Sequence, residues 1–288
     1  MENSPVLGVI GGSGLYAIEG LENIEQRSVK TPFGDPSSPI TIGEIDDKRV
    51  AFLARHGLDH SLSPTQVPYR ANIYAFKSLG VQRVVSVSAC GSLREDYKPG
   101  EIVIPNQLYD NTKERTNTFF DGDLVAHVGV ADPFCPELSG LLADSVDAAD
   151  SIVHRNGAYV TIEGPRFSTR AESNTYRAWG MSIIGMTTSP EAFLAREAEL
   201  CYSVMAHITD YDVWHQTEEP VSAGMVFQIV KQNTRLAQDA LKELLAKLPD
   251  SWECDCQRAL DNSFATSFKR IPRTELERLS LLVERFRS

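Results

Sequence analysis

Residues 85–93 read VSVSACGSL, an apolar, β-rich run that gives way to small residues at its carboxyl end. Open α/β sheets bind ligands just outside the carboxyl ends of their strands. Small side chains at that position leave room for a bound molecule, although the same residues could also form a plain tight turn into the next element. The stretch therefore predicts a buried strand and, beside it, one wall of a ligand site.

Short apolar runs of this kind recur along the chain and alternate with helical stretches, which predicts an α/β fold. The runs are continuous, as expected for strands that are covered on both faces. The predicted strands cover residues 7–10, 49–54, 83–88, 101–104, 158–162, 182–186 and 201–209. The predicted helices cover residues 71–79, 137–149, 170–179, 190–200, 221–248 and 273–286. Since no repeat or linker divides them, we predict one domain, in which residues 249–288 form a loop and a last helix.

The composition of the 288-residue chain excludes several classes of protein. With 42% hydrophobic and 23% charged residues, the chain is neither disordered nor fibrous. The net charge is -11 and no run of Lys or Arg is present, which argues against nucleic acid as a partner. We find neither a signal peptide nor an apolar stretch near the roughly 20 residues of a membrane span, so we predict a cytoplasmic protein without a membrane partner.

The five cysteines divide into two groups. Cys90, Cys135 and Cys201 lie in apolar contexts and are expected to pack as small buried hydrophobic residues. Cys254 and Cys256 form a Cys-x-Cys pair. A zinc site normally needs four ligands, and no second pair is available, so no metal site is predicted. Two interpretations of the pair stay open, namely free thiols on a loop or a reducible disulfide with a redox role.

Two segments are suited to binding an anion. The glycines of residues 8–15, GVIGGSGL, directly follow a strand, so the backbone can approach a ligand and direct N–H groups at it, while Ser13 adds a hydroxyl. Arg55 and His56 stand at the end of another strand, where Arg could bind phosphate bidentately and His could add a donor. The plainer alternatives are a structural turn for the glycines and a surface salt bridge with a loop histidine for the Arg-His pair.

Three later segments carry candidate substrate contacts. Residues 163–172, EGPRFSTRAE, place Phe167 where it could lie against a flat ring, unless they form an ordinary helix face. Met186 and Thr187 could cover a sugar and donate to phosphate, or simply begin a capped helix. Asp210 and Asp212 would face the same side of an extended segment, and paired acids are typical of metal or acid/base sites. For an isolated Asp-x-Asp, a structural cap is the more common role.

Taken in order, these segments resemble the trimeric purine nucleoside phosphorylase family. The resemblance extends from about residue 6 to about residue 248 and rests on residues 11–15 (GGSGL), 31–34 (TPFG), 55–57 (RHG), 69–72 (YRAN), 89–93 (ACGSL), 163–168 (EGPRFS), 186–187 (MT) and 209–212 (TDYD). It implies one phosphorylase/hydrolase-like domain over residues 1–288, with a mixed central β-sheet that is partly barrel-like and flanked by helices. It also implies a homotrimer or a dimer of trimers.

The activity implied by the resemblance is phosphorolysis, in which inorganic phosphate attacks C1′ of a nucleoside and the purine leaves. Phosphate is then a co-substrate, and no cofactor is expected. The residues that match the family's phosphate site are Ser13, Arg55, His56, Ser88, Ala89 through its backbone N–H, and Thr187. Met186 matches the residue that covers the ribose.

The choice of base follows from hydrogen-bond chemistry. Relatives that take 6-oxopurines use Glu and Asn at the positions where this chain has Ser168 and Asp210. Adenine has an N6 amino donor, which a carboxylate can accept. A protonated Asp210 could donate to N7 as a general acid, if its pKa is raised with the help of Asp212. Phe167 and Thr209 complete the implied substrate contacts, so the resemblance implies release of adenine from 5′-methylthioadenosine, together with 5-methylthioribose 1-phosphate, in methionine and purine salvage.

The 5′ end of the substrate is matched less closely. In the family a neighbouring subunit contributes a residue there, and His127 is the candidate. Ala223 stands where relatives often carry Val, so the resemblance implies room for larger 5′-alkylthio groups.

Three other functions remain as alternatives. The first, within the family, is a 6-oxopurine or methylthioinosine phosphorylase, against which Ser168, Asp210 and Asp212 argue. The second is a Rossmann-type dehydrogenase, which would need an acid about 20 residues past the glycine loop. Asp35 has that distance but lies in a predicted turn, and the glycine spacing does not fit. The third is a nucleoside-binding protein without catalytic activity.

Overall fold

The computed structural model describes residues 4–12, 14–15, 17–215, 222–249 and 252–287, without the side chains of residues 223 and 225–232. The strands are β1 (Leu7–Gly11), β2 (Glu22–Arg27), β3 (Ile40–Ile45), β4 (Lys48–Ala54), β5 (Arg83–Ser92), β6 (Ile102–Ile104), β7 (Gln107–Asn111), β8 (Val153–Arg155), β9 (Ala158–Ile162), β10 (Ile183–Gly185) and β11 (Cys201–Asp210). The helices are α1 (Tyr69–Ser78), α2 (Pro136–Ala148), α3 (Arg170–Ala178), α4 (Thr188–Glu197), α5 (Ala223–Lys247), α6 (Arg273–Arg278) and α7 (Ser280–Val283), with short 3-10 turns between some of them.

The long strand β5 organises the sheet, because it pairs with three other strands. It runs parallel to β1, with Val85 beside Val9, and parallel to β11 on its other side. Near its carboxyl end it also pairs antiparallel with β10, where Gly91 lies beside Ile184. The strand predicted over residues 83–88 therefore continues to Ser92, through the small residues that were expected to line a site.

The sheet divides at β5 into two branches, and short connections between strands of the two branches join them again. One branch runs through β10, β9 and β7, and the other through β11, β6 and β8. Only Pro105 and Asn106 separate β6 from β7, and only Asn156 and Gly157 separate β8 from β9. Each of these strands thus bends from one branch into the other, which closes part of the sheet into a ring and confirms the mixed, partly barrel-like sheet predicted for this fold.

Helices cover both faces of the sheet, as the continuous apolar strands predict. Leu138 of α2 and Leu244 of α5 pack with the side chains of β1 and β11 in one core cluster. On the other face, Ile73 of α1 and Leu194 of α4 join a second cluster, together with Leu279 from the segment after α5. All residues of β1 and β11 are buried as a result.

Most predicted elements are present, and the differences have physical reasons. Strands β2, β3, β7 and β8 were not predicted; β2, for example, is an exposed, polar strand at the edge of the sheet, without the apolar run that marks a buried strand. The last predicted helix is divided into α6, α7 and a final 3-10 turn. Within the predicted helix 221–248, residue 221 lies outside the described residues. Among the residues that are described, none of the helices is both long and apolar enough to cross a bilayer.

Candidate active site

Two neighbouring parallel strands, β1 and β4, end side by side next to the longer strand β5, and together they bring predicted phosphate-binding residues close to one another. Gly11 at the end of β1 lies beside Ala54 at the end of β4, and Ile10 lies beside Ser86 of β5. The backbone N–H of Arg55 donates to the Gly11 carbonyl over 3.0 Å, so the segment after β4 starts next to the glycine loop. These strand ends form the edge at which the sequence predicts an anion.

Arg55 reaches back under this edge and forms a buried ion pair with Glu191 of α4. The Glu191 carboxylate accepts from Nε at 3.1 Å and from Nη2 at 3.2 Å, and the side chains are 4% and 1% exposed. Nη2 also donates to the Ser86 hydroxyl at 2.5 Å, and Nη1 donates to the Val87 carbonyl at 3.2 Å. Burial raises the pKa of Glu191, and Arg55 acts in the opposite direction. Most N–H groups of the Arg55 guanidinium therefore donate to protein atoms. The sequence instead suggested that Arg55 binds phosphate through two of these N–H groups.

His56 is held in one tautomer. Its Nδ1 lies 2.9 Å from the Leu62 carbonyl oxygen, and since a carbonyl can only accept, Nδ1 carries a proton. Burial, followed by the charge of Arg55, lowers the pKa of His56 to about 4. The ring stacks on His60, with 4.5 Å between the ring centroids. At neutral pH His56 is therefore an uncharged ring whose Nε2 is an acceptor.

Two hydroxyls of the predicted phosphate site are not used by the local structure. Ser88 Oγ is buried and has no hydrogen-bond partner among the described residues. Thr187 stands at the N-terminus of α4, where its hydroxyl makes no capping hydrogen bond. A buried hydroxyl without a partner costs free energy, which a ligand oxygen would recover. Ala89 follows Ser88 in β5 and lies beside His207 of β11.

Arg115 was not predicted, yet it ties together two segments of the site. Its Nη1 donates to the carbonyls of Met186 (2.6 Å) and Ser189 (2.7 Å), and its Nη2 donates to the Glu163 carbonyl (2.6 Å). The side chain is only 1% exposed. Arg115 lies in a polar loop between β7 and α2 without a recognisable motif, so the sequence carries no signal for this role.

Asp210 is the last residue of β11, and both oxygens of its buried carboxyl group accept a hydrogen bond from the protein. Its Oδ2 accepts from the Thr209 hydroxyl at 2.6 Å, and its Oδ1 accepts from the Asp212 backbone N–H at 2.7 Å. Burial raises the pKa of Asp210 to about 6; the two hydrogen bonds lower it, and the charge of Asp212 adds a smaller increase. The raised pKa agrees with the expectation for a general acid, but burial is its main cause and not the second aspartate.

Asp212 does not lie on the extended segment that the i, i+2 spacing suggested. The register shifts between Ile208 and Asp210, and Asp212 has a φ of 52°, so the chain turns there. Both carboxylate residues nevertheless lie over Gly91, because a methyl group on that residue would be 3.0 Å from Asp210 Oδ1 and 3.2 Å from Asp212 Cβ. A turn of the chain at Asp212 therefore brings Asp210 and Asp212 together next to Gly91.

Ser168 lies next to Asp212, as the predicted joint selection of the base requires. Burial raises the pKa of Asp212, and the nearby hydroxyls of Ser173 and Ser168 act in the opposite direction. Asp212 Oδ2 and the Ser168 hydroxyl make no well-formed hydrogen bond with any described residue. This end of the site thus holds a buried carboxylate oxygen and a buried hydroxyl whose hydrogen-bonding capacity is not used by the described residues.

Met186 packs against the turn that follows β9, and Phe167 comes three residues after Gly164 of that turn. Gly164 in this turn has a φ of 66°, and a methyl group on it would lie 2.6 Å from Met186 Sδ. Only glycine combines this backbone angle with enough space for the methionine. Both Met186 and Phe167 are half-buried, which leaves part of each side chain accessible to a ligand.

Three predicted residues are not joined to this arrangement. Ser13 and the side chain of Ala223 lie outside the described part of the chain. His127 is exposed, and its backbone N–H donates to the Ser263 carbonyl over 2.8 Å. Within the described residues, it makes no hydrogen bond with the phosphate or base residues, so a role at the 5′ end stays a prediction.

The cysteines are arranged differently from the prediction. Cys90, Cys135 and Cys201 are buried, as expected. The premise that no second pair is available is wrong, because the fold brings Cys135 and Cys201 to Cys254 and Cys256. Cys256 is buried too, and only Cys254 of the pair is partly exposed.

The chain is similar to known proteins over most of its length. A family model described as the phosphorylase superfamily matches residues 6–248. An S-methyl-5′-thioadenosine phosphorylase of Geobacter sulfurreducens is 50% identical over 279 residues, which are 96% of this chain and 98% of that protein. A solved methylthioadenosine phosphorylase from an antarctic soil metagenomic library is 46% identical with a TM-score of 0.92, over 97% of this chain and 99% of the other. That of Schistosoma mansoni, in complex with adenine, is 34% identical with a TM-score of 0.81, over 97% and 98%.

These matches confirm the resemblance that the ordered motifs predict, and they cover the residues that build the strand-end site. The dehydrogenase alternative is thereby removed, because the glycine loop, Asp210 and Asp212 all lie within the range that the phosphorylase superfamily matches. The chain belongs to the phosphorylase superfamily.

Proposed function

We propose that this protein phosphorolyses 5′-methylthioadenosine to adenine and 5-methylthioribose 1-phosphate. The observation that carries the proposal is the buried Asp210 carboxyl, whose pKa is raised to about 6, on the strand beside the one that carries Ser88 and Ala89. Relatives with nearly full-length matches are named for this activity, and one solved neighbour is in complex with adenine. The reaction would serve methionine and purine salvage.

At the phosphate end, the residues proposed to bind are Ser13, Arg55, His56, Ser88, Ala89 and Thr187. Glu191 fixes the position of the Arg55 guanidinium. Arg55 would therefore attract phosphate by its positive charge and would not bind it bidentately. Since His56 is neutral and Nδ1 carries its proton, Nε2 would accept a hydrogen bond from a protonated phosphate oxygen. This contact would leave the deprotonated oxygens of phosphate to the cation and the hydroxyls.

During the reaction, a phosphate oxygen forms a bond to C1′ while the bond between C1′ and N9 breaks. The electron pair of that bond moves onto the purine, where negative charge grows at N7. A protonated Asp210 donates its proton to N7, so that neutral adenine leaves and an Asp210 carboxylate remains. The remaining carboxylate is reprotonated before the next turnover. Met186 would cover the ribose, and Phe167 would lie against a flat part of the substrate.

Selection of adenine is assigned to Ser168, Thr209, Asp210 and Asp212 acting together. A 6-oxopurine presents an N1–H donor, which needs an acceptor of the kind that Glu supplies, and Ser168 is a weaker one. Adenine instead presents an N6 amino group, for which the buried carboxylate oxygen of Asp212, which has no hydrogen-bond partner among the described residues, would be an acceptor. A 6-oxopurine or methylthioinosine phosphorylase is the second candidate, but no described residue favours it.

The assembly and location of the protein are also proposals. We infer a homotrimer or a dimer of trimers, in which His127 and Ala223 take part in the 5′ pocket; the exposed His127 is then available to a neighbouring subunit. Light scattering after size-exclusion chromatography would measure the mass. We place the protein in the cytoplasm, since all five cysteines are free, as is usual in a reducing compartment.

The decisive experiment is incubation with 5′-methylthioadenosine in the presence and absence of phosphate. We expect adenine release that depends on phosphate, with 5-methylthioribose 1-phosphate formed in equal amount. Release without phosphate would identify a hydrolase, and binding without release would identify a non-catalytic binder. Faster cleavage of methylthioinosine or inosine in parallel assays would favour the second candidate.

A further inference from the structure

Four cysteine sulfurs meet at the edge of the sheet opposite to the candidate active site. The Sγ atoms of Cys135, Cys201, Cys254 and Cys256 all lie within 4.8 Å of one another. Cys201 and Cys254 are 3.1 Å apart, and Cys135 and Cys254 are 3.8 Å apart. All four are free thiols.

We propose that these four cysteines bind one zinc ion in a closed, structural site. A zinc ion with four thiolates is tetrahedral, with bonds of about 2.3 Å, which puts the sulfurs about 3.8 Å from one another. The observed separations scatter around that value, so small side-chain adjustments would complete the tetrahedron. Four protein ligands leave no position for water or substrate, as in structural zinc sites and unlike catalytic ones.

The surroundings of the sulfurs suit thiolates. The Trp252 indole N–H donates to Cys201 Sγ at 3.2 Å, and the Leu138 backbone N–H donates to Cys135 Sγ at 3.4 Å. The Arg196 guanidinium donates to Cys256 Sγ at 3.4 Å and adds a positive charge. Hydrogen bonds and charges of this kind orient metal ligands and stabilise them. These donors would partly offset the net negative charge of zinc with four thiolates.

One contact has to change when the metal binds. The Glu137 carboxylate lies 3.3 Å from Cys135 Sγ and accepts from the thiol. A deprotonated Cys135 would repel it. Glu137 is exposed in the first turn of α2, so its side chain can turn to solvent without disturbing the core.

The ligands come from parts of the chain that are far apart in sequence. Cys135 precedes α2, Cys201 begins β11, and the Cys-x-Cys pair lies where the chain returns after α5. A shared ion would fasten the segment after α5 to the start of the central strand. Asp210 stands at the other end of β11, about 30 Å away at 3.3 Å per residue. The ion would therefore act on stability and not on the reacting atoms.

The test uses the full-length protein, expressed with zinc and purified under reducing conditions without chelators. We expect about one zinc per chain by elemental analysis. Metal-free, reduced protein should bind Co²⁺ to saturation at one equivalent, with the sulfur-to-cobalt charge-transfer band and the strong d–d bands of tetrahedral coordination. Removal of the metal should lower the midpoint of thermal unfolding and leave kcat at permissive temperature within about twofold.

Variants separate the site from the protein's remaining thiol. Cys254→Ser and Cys256→Ser should each reduce bound zinc at least tenfold. Cys90→Ser, which changes the cysteine outside the cluster, should retain one zinc per chain. Should the first two variants fail to fold, the Co²⁺ titration of the unaltered protein decides alone. Absence of tetrahedral cobalt bands in reduced protein, or a disulfide within the cluster in freshly purified protein by mass spectrometry, would overturn the proposal.

Discussion

The Arg55 guanidinium and the Glu191 carboxylate form a buried ion pair, with Nε and Oε1 3.1 Å apart, directly behind the strand ends of the proposed phosphate site. The pair links β4 to α4 across 136 residues of sequence. It keeps the cation of the site in one orientation while engaging most of its N–H groups. In the proposed mechanism, Glu191 is thus a positioning residue that orients Arg55 and does not itself touch phosphate.

Glu191→Gln should weaken phosphate binding more than nucleoside binding. The neutral amide leaves Arg55 as a buried charge without its counterion, which costs about 3–5 kcal/mol of unfolding free energy. A guanidinium that is less firmly placed should raise the KM for phosphate roughly tenfold, equivalent to about 1.4 kcal/mol. Steady-state kinetics with each substrate varied in turn would measure this difference.

The matched control is Glu277→Gln, because Glu277 pairs with Arg273 at the surface with both side chains exposed. Exposed pairs contribute little, so neither stability nor kinetics should change noticeably. Equal increases in the KM values for phosphate and nucleoside in Glu191→Gln would argue that the pair supports the fold only.

Asp210→Asn should lose most of the cleavage of 5′-methylthioadenosine and gain activity on 6-oxopurine nucleosides. General acid catalysis typically accelerates a reaction about 10²- to 10⁴-fold, so kcat should decrease by a factor in that range. An amide at this position can donate to O6 and N7, which a carboxylate cannot do. Asp144→Asn, a change at an exposed carboxylate paired with Arg155, is the control. Full adenine release without new 6-oxopurine cleavage would remove Asp210 from the mechanism.

The protonation of Asp210 predicts how activity depends on pH. In the proposed mechanism the acid form is the active one, and burial raises the pKa of this carboxyl in the folded protein to about 6. We therefore expect kcat/KM for 5′-methylthioadenosine to fall as pH rises through about 6, and this step should be absent in Asp210→Asn. Since burial contributes more than Asp212 to the raised pKa, Asp212→Asn should shift the midpoint only slightly towards lower pH. A rate that rises through pH 6 would assign the residue the role of a base.

The same shift carries a consequence for stability with a defined sign. A carboxyl whose folded pKa is raised binds its proton more tightly in the folded state, so its contribution to stability is greatest below the unfolded pKa of 3.8 and is lost as pH rises through about 6. Asp210→Asn should therefore reduce the loss of stability between these two pH values. Urea unfolding of both proteins across that range, with Asp144→Asn as control, would measure it.

Arg115→Lys should reduce activity although the positive charge is retained. Lysine lacks the planar fork that lets Arg115 donate to the carbonyls of Glu163, Met186 and Ser189 at the same time. The two segments should lose their fixed separation, and kcat/KM for the nucleoside should fall roughly tenfold, about 1.4 kcal/mol. Arg94→Lys, at a surface pair with Asp96, should leave kinetics unchanged. A loss of stability without any change in KM would limit Arg115 to a structural role.

Much of this molecule could be predicted from local patterns. The continuous apolar runs predicted the buried strands, including β9 with its observed ends, and the ordered motifs predicted the family. The burial of Asp210 and the nearness of Ser168 to Asp212 agree with the predicted base site. The signal for the strands lies within a few adjacent residues, whereas the base site was predicted through the resemblance that the ordered motifs carry.

Contacts between distant residues could not be predicted in this way. Glu191 looks like an acid in the first turn of a helix, and nothing near it in sequence identifies Arg55 as its partner. Arg115 bonds to backbone carbonyls, which every residue possesses and which leave no pattern. Cys135 and Cys201 looked like buried hydrophobic residues because the pair that they join lies more than fifty residues further along the chain. Such relationships depend on how strands and helices are placed in three dimensions.

The continuity of β5 has a consequence for how this enzyme can change during evolution. Ser88, at the phosphate end, and Gly91, against which Asp210 lies, belong to one uninterrupted strand and are three residues apart, or about 10 Å. In the proposed mechanism, the backbone of one strand therefore sets the spacing between the residues that bind phosphate and those that face the base. New base preferences would then arise by exchanging Ser168 and the side chains at and just after the end of β11, while the spacing along β5 stays unchanged.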